Sequence, residues 1–430
     1  MSEPARIGVV GMGTVGSGVV RVLQQSADHI ERQAGRPIVV EHATVSDLSK
    51  PRSVELPRDR LGTELAAIAD NPAISIAAML VGGLEPARTM TIELLRKGKD
   101  VVTANKALLA EHGPELFAVA QATGRSVSFE AAIAGGIPIV AAIAECLAAN
   151  RIESIRGILN GTSNFILTRM EEDGSNYADV LAVAQAEGYA EADPTMDVDG
   201  TDATQKLALL AHLAFGVWVP WATIPRVGLE TIDQELLRFA DELGYRIRVV
   251  ADASREDGKL AMRVGPTLVR KGTPLAETRG AFNAVSVVGD AVGPMFFHGL
   301  GAGQLPTASA VVADIIDTVL GRAAITFRTT GVLSAEADCS LSGGGKSPYL
   351  LRLQVNDQPG VFAELTGVLG AEGISIASVI QHQNQAASAA VPLVIMTHAC
   401  EAEAVQKAVQ ALDQQASVQA ATTCLPVLDD

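Results

Sequence analysis

Basic charge, cysteine and aromatic side chains are all scarce in this sequence of 430 residues. The 33 Lys and Arg residues are outnumbered by 49 Asp and Glu residues, and a net charge of −16 argues against a nucleic-acid-binding protein, which needs a clustered basic face. Aromatic residues are 4% of the chain and hydrophobic residues 48%, mostly Ala, Val and Leu, which is typical of buried helices and parallel strands. Four widely spaced cysteines exclude a disulfide framework, and we expect small buried residues or free thiols at Cys146, Cys339, Cys400 and Cys424.

A hydrophobic run long enough to span a membrane is also lacking. The nearest candidate, residues 131–149, is rich in alanine and is interrupted by two glycines, Pro138 and Glu145. We expect a loop there, followed by a buried helix that begins near Pro138, because proline is favoured in the first turn of a helix. The N-terminus has no basic start followed by an apolar stretch, so we expect no signal peptide. The sequence predicts a cytoplasmic protein with neither a membrane nor a nucleic-acid partner.

Alternating strands and helices in the first part of the chain predict an α/β fold with a doubly wound parallel sheet. The predicted strands cover residues 6–10, 37–45, 74–81 and 100–103. The predicted helices cover residues 14–25 and 86–97. This part forms a first domain over residues 1–130.

The rest of the chain predicts two further domains. Residues 131–320 mix long helices with strand-like runs, and a helix near residues 304–320 is expected to return to the first domain. A glycine-rich stretch at its end predicts a linker over residues 321–346. The order of elements in residues 347–430 predicts a small βαββα(β) module.

A glycine-rich fingerprint, G-x-G-x-x-G, follows the first predicted strand. It consists of Gly11, Met12, Gly13, Thr14, Val15 and Gly16. The first glycine permits a tight turn, the second lets the backbone approach a pyrophosphate, and the third lets helix and strand pack closely. The N-terminus of the helix attracts the phosphates. The motif predicts binding of NAD or NADP, with a plain glycine turn as the alternative.

Cofactor preference depends on the residues after the second predicted strand. An acidic residue there favours the 2′-hydroxyl of NAD, whereas an arginine accommodates the 2′-phosphate of NADP. Ser46 is neutral and Asp47 can point away, while Lys50 and Arg52 can reach a phosphate. The alternative is that Lys50 and Arg52 are solvated loop charges. The sequence therefore leaves NAD and NADP open.

A lysine follows a buried strand in the polar cluster Thr103, Ala104, Asn105 and Lys106. The carboxyl ends of parallel strands form the ligand crevice of an open α/β sheet. Lys106 can therefore hold a carboxylate or carbonyl near a nicotinamide ring. The alternative is an ordinary surface lysine.

Acidic residues crowd into residues 184–206, at Glu187, Glu191, Asp193, Asp197, Asp199 and Asp202. Asp202 and Lys206 are four residues apart in a predicted helix, so they share a face and can pair. A calcium-binding EF-hand is excluded because Gly200 is misplaced and the twelfth position of the loop is Ala208. A solvated acidic loop is the alternative. However, Lys206 begins a strongly apolar helix, and a lysine in such a place needs a partner or a function.

Several of these motifs together resemble the homoserine dehydrogenase family, in the family's order along the chain. They are residues 11–16, 82–86, 103–106, 129–138, 160–165, 184–206 and 301–308. The turn at residues 356–361 resembles that of an ACT domain, an amino-acid-sensing module. The resemblance implies a Rossmann-type domain, an α+β catalytic and dimerisation domain, and a ferredoxin-like ACT domain. Because no kinase-sized region precedes the fingerprint, we expect the form that is not fused to aspartate kinase.

The activity implied by the resemblance is the reversible NAD(P)H-dependent reduction of L-aspartate 4-semialdehyde to L-homoserine. This step belongs to threonine, methionine and isoleucine biosynthesis. The implied catalytic residues are Lys206 as proton donor, Asp202 as its orienting partner, and Lys106 between nicotinamide and substrate. Implied substrate contacts are Glu191 to the ammonium group, Asp197, and the backbone at Gly161 and Thr162. Implied cofactor contacts beyond the fingerprint are Ser46, Lys50, Arg52, Gly82, Thr103, Lys106 and Gly303.

The resemblance also implies a bound cation and an effector. A monovalent cation, Na⁺ or K⁺, is expected mostly on backbone carbonyls of Glu130, Ile133, Gly135 and Ile137. An amino-acid effector, threonine above all, is expected between paired ACT domains near Asn356, Asp357 and Gly360. Feedback regulation and a homodimer or homotetramer follow from the same resemblance.

Two positions depart from the family's pattern. Ser46 stands where members often have arginine, and Met79 stands where a glutamate is frequent. The alternatives are a non-catalytic amino-acid sensor and another ACT-bearing NAD(P)-dependent dehydrogenase. A sensor has no need of the Asp202 and Lys206 pair, and the other dehydrogenases have their fingerprint in mid-chain.

Overall fold

The computed structural model describes residues 3–190, 192–256, 259–330, 341–342, 345–382 and 390–428. The chain forms two compact units. The first unit comprises Met1–Ile155, Asp202–Thr223 and Phe282–Ala337, and the second comprises Arg156–Thr201, Ile224–Ala281 and Asp338–Asp430. Among the described residues, no helix is both long enough and apolar enough to cross a membrane.

A six-stranded parallel sheet organises the first unit. Its strands are β1 (Ala5–Val10), β2 (Ile38–Thr44), β3 (Leu61–Gly62), β4 (Ile76–Met79), β5 (Asp100–Thr103) and β6 (Val127–Ser128). They lie in the order β3-β2-β1-β4-β5-β6, and all five pairings are parallel. This is the doubly wound order, and it confirms the predicted fold class. The order reverses between β1 and β4, where a ligand crevice is expected at the carboxyl ends of the strands.

The remaining elements of the first unit are helices and one hairpin. The helices are α1 (Thr14–Gln25), α2 (Ala27–Ala34), α3 (Ala66–Ala69), α4 (Ala87–Arg96), α5 (Lys106–Thr123), α6 (Ile139–Ala141), α10 (Thr201–Phe215, from Asp202 onward), α12 (Gln304–Val319) and α13 (Arg322–Thr330). Strand β7 (Ile152–Ile158) begins in this unit and ends in the second. Strands β10 (Phe282–Gly289) and β11 (Gly293–Leu300) form an antiparallel hairpin.

Helix α12 packs against α1 and the sheet, far from both in sequence. Its apolar residues recur every three or four positions, and Val311 and Ile315 are fully buried in the core that contains Val9 and Val19. Gly18 on α1 permits this contact, because a Cβ there would lie 2.8 Å from the Gln304 side chain. Helix α12 therefore packs beside α1, the helix that begins within the fingerprint.

Two expectations for this part of the chain need correction. The linker prediction is wrong over α13, which is ordered because Ala323 and Phe327 are buried and Phe327 meets the Phe117 ring at 5.6 Å. Residues 331–340 and 343–344 of the predicted linker lie outside the described residues. The helix expected near Pro138 is only the three-residue α6, continued by a π-helical turn over Ala142–Cys146.

The cysteines are free thiols where the structure describes them. Cys146 is exposed, so of the two alternatives expected for the cysteines it is a free thiol rather than a buried residue. Cys400 and Cys424 are half-buried. Cys339 lies outside the described residues.

The second unit is built on a mixed sheet with the strand order β8-β9-β18-β14-β16-β15. Its strands are β8 (Tyr245–Glu256), β9 (Lys259–Arg270), β12 (Leu341–Ser342), β13 (Lys346–Ser347), β14 (Tyr349–Asn356), β15 (Ile376–Gln381), β16 (Ala390–Thr397), β17 (Cys400–Glu401) and β18 (Thr423–Leu428). Its helices are α7 (Gly161–Asp173), α8 (Tyr177–Ala186), α9 (Thr195–Val198), α11 (Gln234–Glu242), α14 (Val361–Ala371) and α15 (Ala402–Leu412).

The predicted C-terminal module is confirmed as β14-α14-β15-β16-α15-β18, with four antiparallel strands in the order β18-β14-β16-β15. Both helices bury apolar residues against the sheet, among them Leu365 on α14 and Leu412 on α15. Strand β18 also pairs in parallel with β9, which joins the module to the β8–β9 hairpin.

Candidate active site

The fingerprint forms the turn between β1 and α1, and two of its glycines are required by geometry. Gly11 has a φ of +96°, which side chains rarely adopt. A Cβ on Gly16 would overlap with the carbonyl oxygen of Gly11. A Cβ on Gly13 would meet nothing within 4 Å, so the backbone there is open to a ligand. These positions match the roles that the sequence assigns to the three glycines.

A cleft of about 660 Å³ opens at the carboxyl ends of β1 and β2. Its lining includes the predicted residues Gly11, Met12, Gly13, Thr14, Ser46, Lys50 and Arg52. It also includes Asp47, which the sequence analysis considered as able to point away, and residues that the sequence analysis did not assign to the cofactor, namely Ser17, Thr63, Leu80, Val81, Pro86, Met90 and Gln304. Of the remaining predicted contacts, Val15, Gly16, Gly82, Thr103, Lys106 and Gly303 do not line it. The size and the fingerprint suit a dinucleotide whose pyrophosphate meets the start of α1.

The loop after β2 contributes Asp47, Lys50 and Arg52 to the lining of this cleft. Asp47 is engaged within its own loop, where its Oδ1 accepts from the Ser49 backbone N at 2.8 Å and from the Ser49 hydroxyl at 2.6 Å. These bonds lower the pKa of Asp47 and keep it ionised. The Arg52 guanidinium donates to the carbonyl oxygens of Lys50, at 2.9 Å, and of Asp47. Arg52 is therefore held in place at the edge of the cleft.

The start of α5 is fixed by Asn105, which the sequence analysis named only as part of a polar cluster. Its Oδ1 accepts from the Leu108 backbone N at 3.0 Å, which caps the helix. Its Nδ2 donates to the carbonyls of Val81, at 3.0 Å, and Gly83, at 2.7 Å. These bonds tie the loop after β4 to the residue that precedes Lys106.

Lys106, Asp202 and Lys206 form one ion-pair network in the first unit. The Lys206 Nζ lies 2.8 Å from Asp202 Oδ2, and the Lys106 Nζ lies 3.0 Å from Asp202 Oδ1. The side chains of Asp202 and Lys206 are 8% and 10% exposed, and that of Lys106 is 35% exposed. One carboxylate is therefore shared by two ammonium groups, one buried and one partly open to solvent.

The second half of α10 explains why Lys206 is buried. Leu207, Leu209 and Leu210 are fully buried, so the helix is enclosed by apolar contacts around its one lysine. Asp202 lies one turn earlier and pairs with that lysine, as the spacing predicts. The pairing with Lys106 has no local signal in the sequence, because it joins α10 to the start of α5.

In the second unit, the start of α7 brings together most of the predicted substrate residues. Asn160 caps α7 through the Ser163 backbone N at 2.8 Å, and its Nδ2 donates to Asp197 Oδ1 at 2.7 Å. The Thr162 hydroxyl donates to the Tyr189 carbonyl at 2.6 Å. A Cβ on Gly161 would lie 2.7 Å from the Ala281 carbonyl oxygen. Asn160 is a residue that the sequence analysis missed, and Glu191 lies outside the described residues.

Comparison with known proteins decides the family. A family model for homoserine dehydrogenase matches residues 138–316, one for the homoserine dehydrogenase NAD-binding domain matches residues 11–130, and one for the ACT domain matches residues 349–417. The chain is 40% identical to the homoserine dehydrogenase of Pseudomonas aeruginosa over 96% of both chains. It is 39% identical to that of Bacillus subtilis over 91% of both. The chain belongs to the homoserine dehydrogenase family.

The structure agrees with this assignment. The crystal structure of a homoserine dehydrogenase from Thiobacillus denitrificans matches with a TM-score of 0.93 and 41% identity over 99% of each chain. As a member of the homoserine dehydrogenase family, the chain is an NAD(P)-dependent oxidoreductase that interconverts L-aspartate 4-semialdehyde and L-homoserine, and it carries an ACT domain. The resemblance inferred from the motifs is confirmed, which excludes the two alternative functions.

The loop expected to bind a cation lies between β6 and α6. Ala134 and Gly135 have φ angles of +50° and +41°, and a Cβ on Gly135 would lie 2.6 Å from the Gly301 carbonyl oxygen. The carbonyls of Glu130 and Ile137 accept one backbone bond each, at 3.3 and 2.8 Å. Since a carbonyl oxygen has two lone pairs, both are compatible with a cation bound by oxygen ligands. The cation stays a prediction.

Glu130 also anchors this loop through its side chain. The carboxylate accepts from the backbone N of Val140 at 2.9 Å and of Ala141 at 2.8 Å. The Glu130 backbone N donates to Asp314 on α12 at 2.9 Å. Burial raises the pKa of Glu130 to about 7 and also raises that of Asp314.

The turn expected near the effector connects β14 to α14. Gly360 has a φ of +95° at the start of α14, which favours glycine there. The Asn356 backbone N donates to the Ser417 carbonyl at 2.9 Å, which fixes the end of β14. The roles of Asn356, Asp357 and Gly360 in binding an effector stay a prediction.

Proposed function

We propose that Lys206 is the proton donor to the aldehyde oxygen of L-aspartate 4-semialdehyde and that Asp202 is its orienting partner. The observation that carries this proposal is the carboxylate of Asp202 shared between Lys206 and Lys106. The bound cofactor supplies the hydride that reaches the carbonyl carbon. Negative charge then builds on the carbonyl oxygen, and the ammonium of Lys206 stabilises that charge and transfers its proton.

Lys106 supplies a second ammonium group to this proposed catalytic centre. The Lys106 ammonium lies 3.0 Å from the same carboxylate that Lys206 contacts, and its side chain is the more exposed of the two. A positive charge beside the reacting oxygen favours an oxyanion over the neutral aldehyde, which is the preference that catalysis needs. In the reverse direction, the neutral amine of Lys206 accepts the hydroxyl proton of homoserine, and Asp202 stabilises the ammonium that forms.

The substrate's amino-acid end is assigned to residues of the second unit. Glu191 binds the ammonium group, Asp197 adds negative charge nearby, and the backbone at Gly161 and Thr162 contributes hydrogen bonds. The bond from Asn160 to Asp197 supports this assignment, because it fixes one carboxylate beside the start of α7.

The cofactor preference that we assign is for NADP. Asp47 is the acidic residue best placed to favour the 2′-hydroxyl of NAD, and its carboxylate is already bonded to Ser49. Lys50 and Arg52 both line the cleft, and Arg52 is held by two backbone carbonyls. A guanidinium fixed in this way suits a 2′-phosphate.

Four further properties are proposed on the family resemblance alone. The loop at Glu130, Ile133, Gly135 and Ile137 binds a monovalent cation. The ACT domain binds threonine, which inhibits the enzyme, and paired ACT domains make the protein a homodimer or homotetramer. The protein acts in the cytoplasm.

The decisive experiment is an initial-rate assay with aspartate semialdehyde and either NADH or NADPH. Lys206→Ala is expected to lower kcat by about 10²–10⁴-fold, the range for a positioned acid–base group. Lys97→Ala is the matched control, because Lys97 also pairs with an aspartate, Asp70, at 2.6 Å but lies on the surface. Equal kcat values for Lys206→Ala and the wild type would contradict the assigned proton donor.

A further inference from the structure

Asn105 uses both donors and the acceptor oxygen of its side-chain amide, although the proposed reaction gives it no part. Its Oδ1 accepts from the Leu108 backbone N at 3.0 Å, and its Nδ2 donates to the carbonyl oxygens of Val81, at 3.0 Å, and Gly83, at 2.7 Å. The residue is 9% exposed, so these bonds are largely shielded from water. One buried amide therefore joins the start of α5 to the loop that follows β4.

The two segments that Asn105 joins lead to the cofactor cleft and to the proposed catalytic centre. On one side, Val81 and the preceding Leu80 line the cleft. On the other side, Lys106 is the first residue of α5, and its Nζ lies 3.0 Å from Asp202 Oδ1. A movement of the cleft wall at Val81 would therefore be transmitted through hydrogen bonds to the helical turn that carries the Lys106 ammonium.

The backbone of Asn105 is restrained as well as its side chain. The Thr103 hydroxyl oxygen accepts from the Asn105 backbone N at 3.1 Å, and the same hydroxyl donates to the Met79 carbonyl at 2.9 Å. Met79 is the last residue of β4 and Thr103 the last of β5. The entry to α5 is therefore fixed to the end of β4 by two separate bridges, and only one of them passes through the Asn105 amide.

The rest of α5 is held by contacts that do not involve Asn105. Leu109 and Leu116 are fully buried, and the Arg88 Nε on α4 donates to Glu115 Oε2 at 2.6 Å. Loss of the Asn105 amide should therefore alter the first turn of the helix without unfolding it. This separation makes the effect of the amide on Lys106 measurable.

We propose that Asn105 is a positioning residue, which holds the Lys106 ammonium at the Asp202 carboxylate and links that position to the cofactor-cleft wall at Val81. The inference rests on the role proposed for Lys106 in the reaction. It assigns Asn105 two effects that can be measured separately, one on kcat through Lys106 and one on cofactor affinity through the wall.

The first test is Asn105→Ser. Serine keeps an oxygen that can cap α5, because it is favoured at this position about as strongly as asparagine, but it is too short to reach Val81 and Gly83. We expect kcat to fall by about tenfold or more because Lys106 is less well placed. We expect the Kd for NADPH, measured by fluorescence titration without substrate, to rise by about fivefold because the wall is no longer pre-ordered.

The second test combines this substitution with Lys106→Ala. Lys106→Ala alone should lower kcat by about 10²-fold or more, the cost of removing a group that stabilises charge in the transition state. The double variant should have the kcat of Lys106→Ala, since Asn105 acts on the reaction only through that lysine. Its Kd for NADPH should still be raised, because the wall is altered in either background. A purely structural role would instead lower kcat further in the double variant, and that result would overturn the proposal.

The matched control is Asn176→Ser in the second unit. Asn176 also caps a helix, α8, with its Oδ1 accepting from the Asp179 backbone N at 3.0 Å, but its Nδ2 donates within the same helix, to Asp179 Oδ2 at 2.7 Å. Serine there should leave both kcat and the Kd for NADPH unchanged.

Failure of this inference can be told apart from failure of the proposed function. An unchanged kcat or an unchanged Kd in Asn105→Ser, together with a fall in kcat in Lys106→Ala, would overturn the inference and leave the proposed function in place. An unchanged kcat in Lys106→Ala would overturn both.

Discussion

Replacing Asp202 with asparagine should damage both the stability and the chemistry of the enzyme. The Asp202 carboxylate lies 2.8 Å from the buried ammonium of Lys206, and the substitution removes the negative charge of that partner. Removing one partner of a buried ion pair costs about 3 kcal/mol in the free energy of unfolding. The contact to Lys106 adds less, because the Lys106 side chain is 35% exposed and water screens its charge.

The expected fall in kcat of Asp202→Asn is due to displacement of the Lys206 ammonium as well as to loss of the Asp202 charge. A misplacement of about 1 Å at a reacting group costs about 10²-fold in rate, so we expect kcat of Asp202→Asn to fall by about that factor. If Asp202 acts only by holding Lys206, it has nothing to hold in Lys206→Ala. The double variant should then have the same kcat as Lys206→Ala alone, since residues that act as a unit are strongly non-additive.

The measurements are initial rates with saturating substrate for the wild type, both single variants and the double variant, together with urea unfolding of each. The control is Asp70→Asn, which removes a pair to Lys97 of 2.6 Å on the surface and should leave both kcat and stability unchanged. Losses in kcat that multiply in the double variant would refute the reasoning, because they would show two independent contributions.

Three other changes test separate parts of the molecule. Gly16→Ala should abolish NADPH binding, measured by fluorescence titration, because its Cβ would overlap with the Gly11 carbonyl, whereas Gly35→Ala at an open surface turn should retain it. Arg52→Gln should raise the KM for NADPH by about tenfold or more without changing that for NADH, and an equal effect on both would contradict the 2′-phosphate assignment. Because the pKa of Glu130 is raised from 4.5 to about 7 in the folded chain, its contribution to stability is fully present below pH 4.5 and is lost as the pH rises through 7. Glu130→Gln should therefore flatten the decline in unfolding free energy between these pH values, and an unchanged slope would show that the Glu130 carboxyl does not titrate there.

Much of the fold could be predicted because its signals are local. The strand β1, the turn at Gly11 and the helix α1 follow one another in a short segment, and each has a composition that favours it. The helix α13 could not be predicted in the same way. The helix is stabilised by the contact of Phe327 with Phe117 on α5, and no sequence pattern within residues 322–330 predicts that contact.

The cofactor cleft likewise has one part that a local sequence pattern predicts and another that depends on residues distant in sequence. Its phosphate end is encoded by the fingerprint, of which Gly11, Met12, Gly13 and Thr14 line the cleft. Its other walls include Gln304, whose side chain reaches the Thr14 carbonyl at 3.0 Å from the distant helix α12. The orientation of Asp47 was equally beyond prediction, because it depends on which hydrogen bonds the loop closes with Ser49.

The proposed catalytic centre combines both kinds of information. The pairing of Asp202 with Lys206 follows from their spacing on one helix, and the sequence predicts it. The pairing of Asp202 with Lys106 requires the start of α5 to meet α10, and no local pattern encodes that contact. Asp202 Oδ2 lies 2.8 Å from the Lys206 ammonium and Asp202 Oδ1 lies 3.0 Å from that of Lys106, so one carboxylate positions two ammonium groups. The arrangement that the proposed chemistry uses therefore depends on a tertiary contact and cannot be predicted from the helix spacing alone.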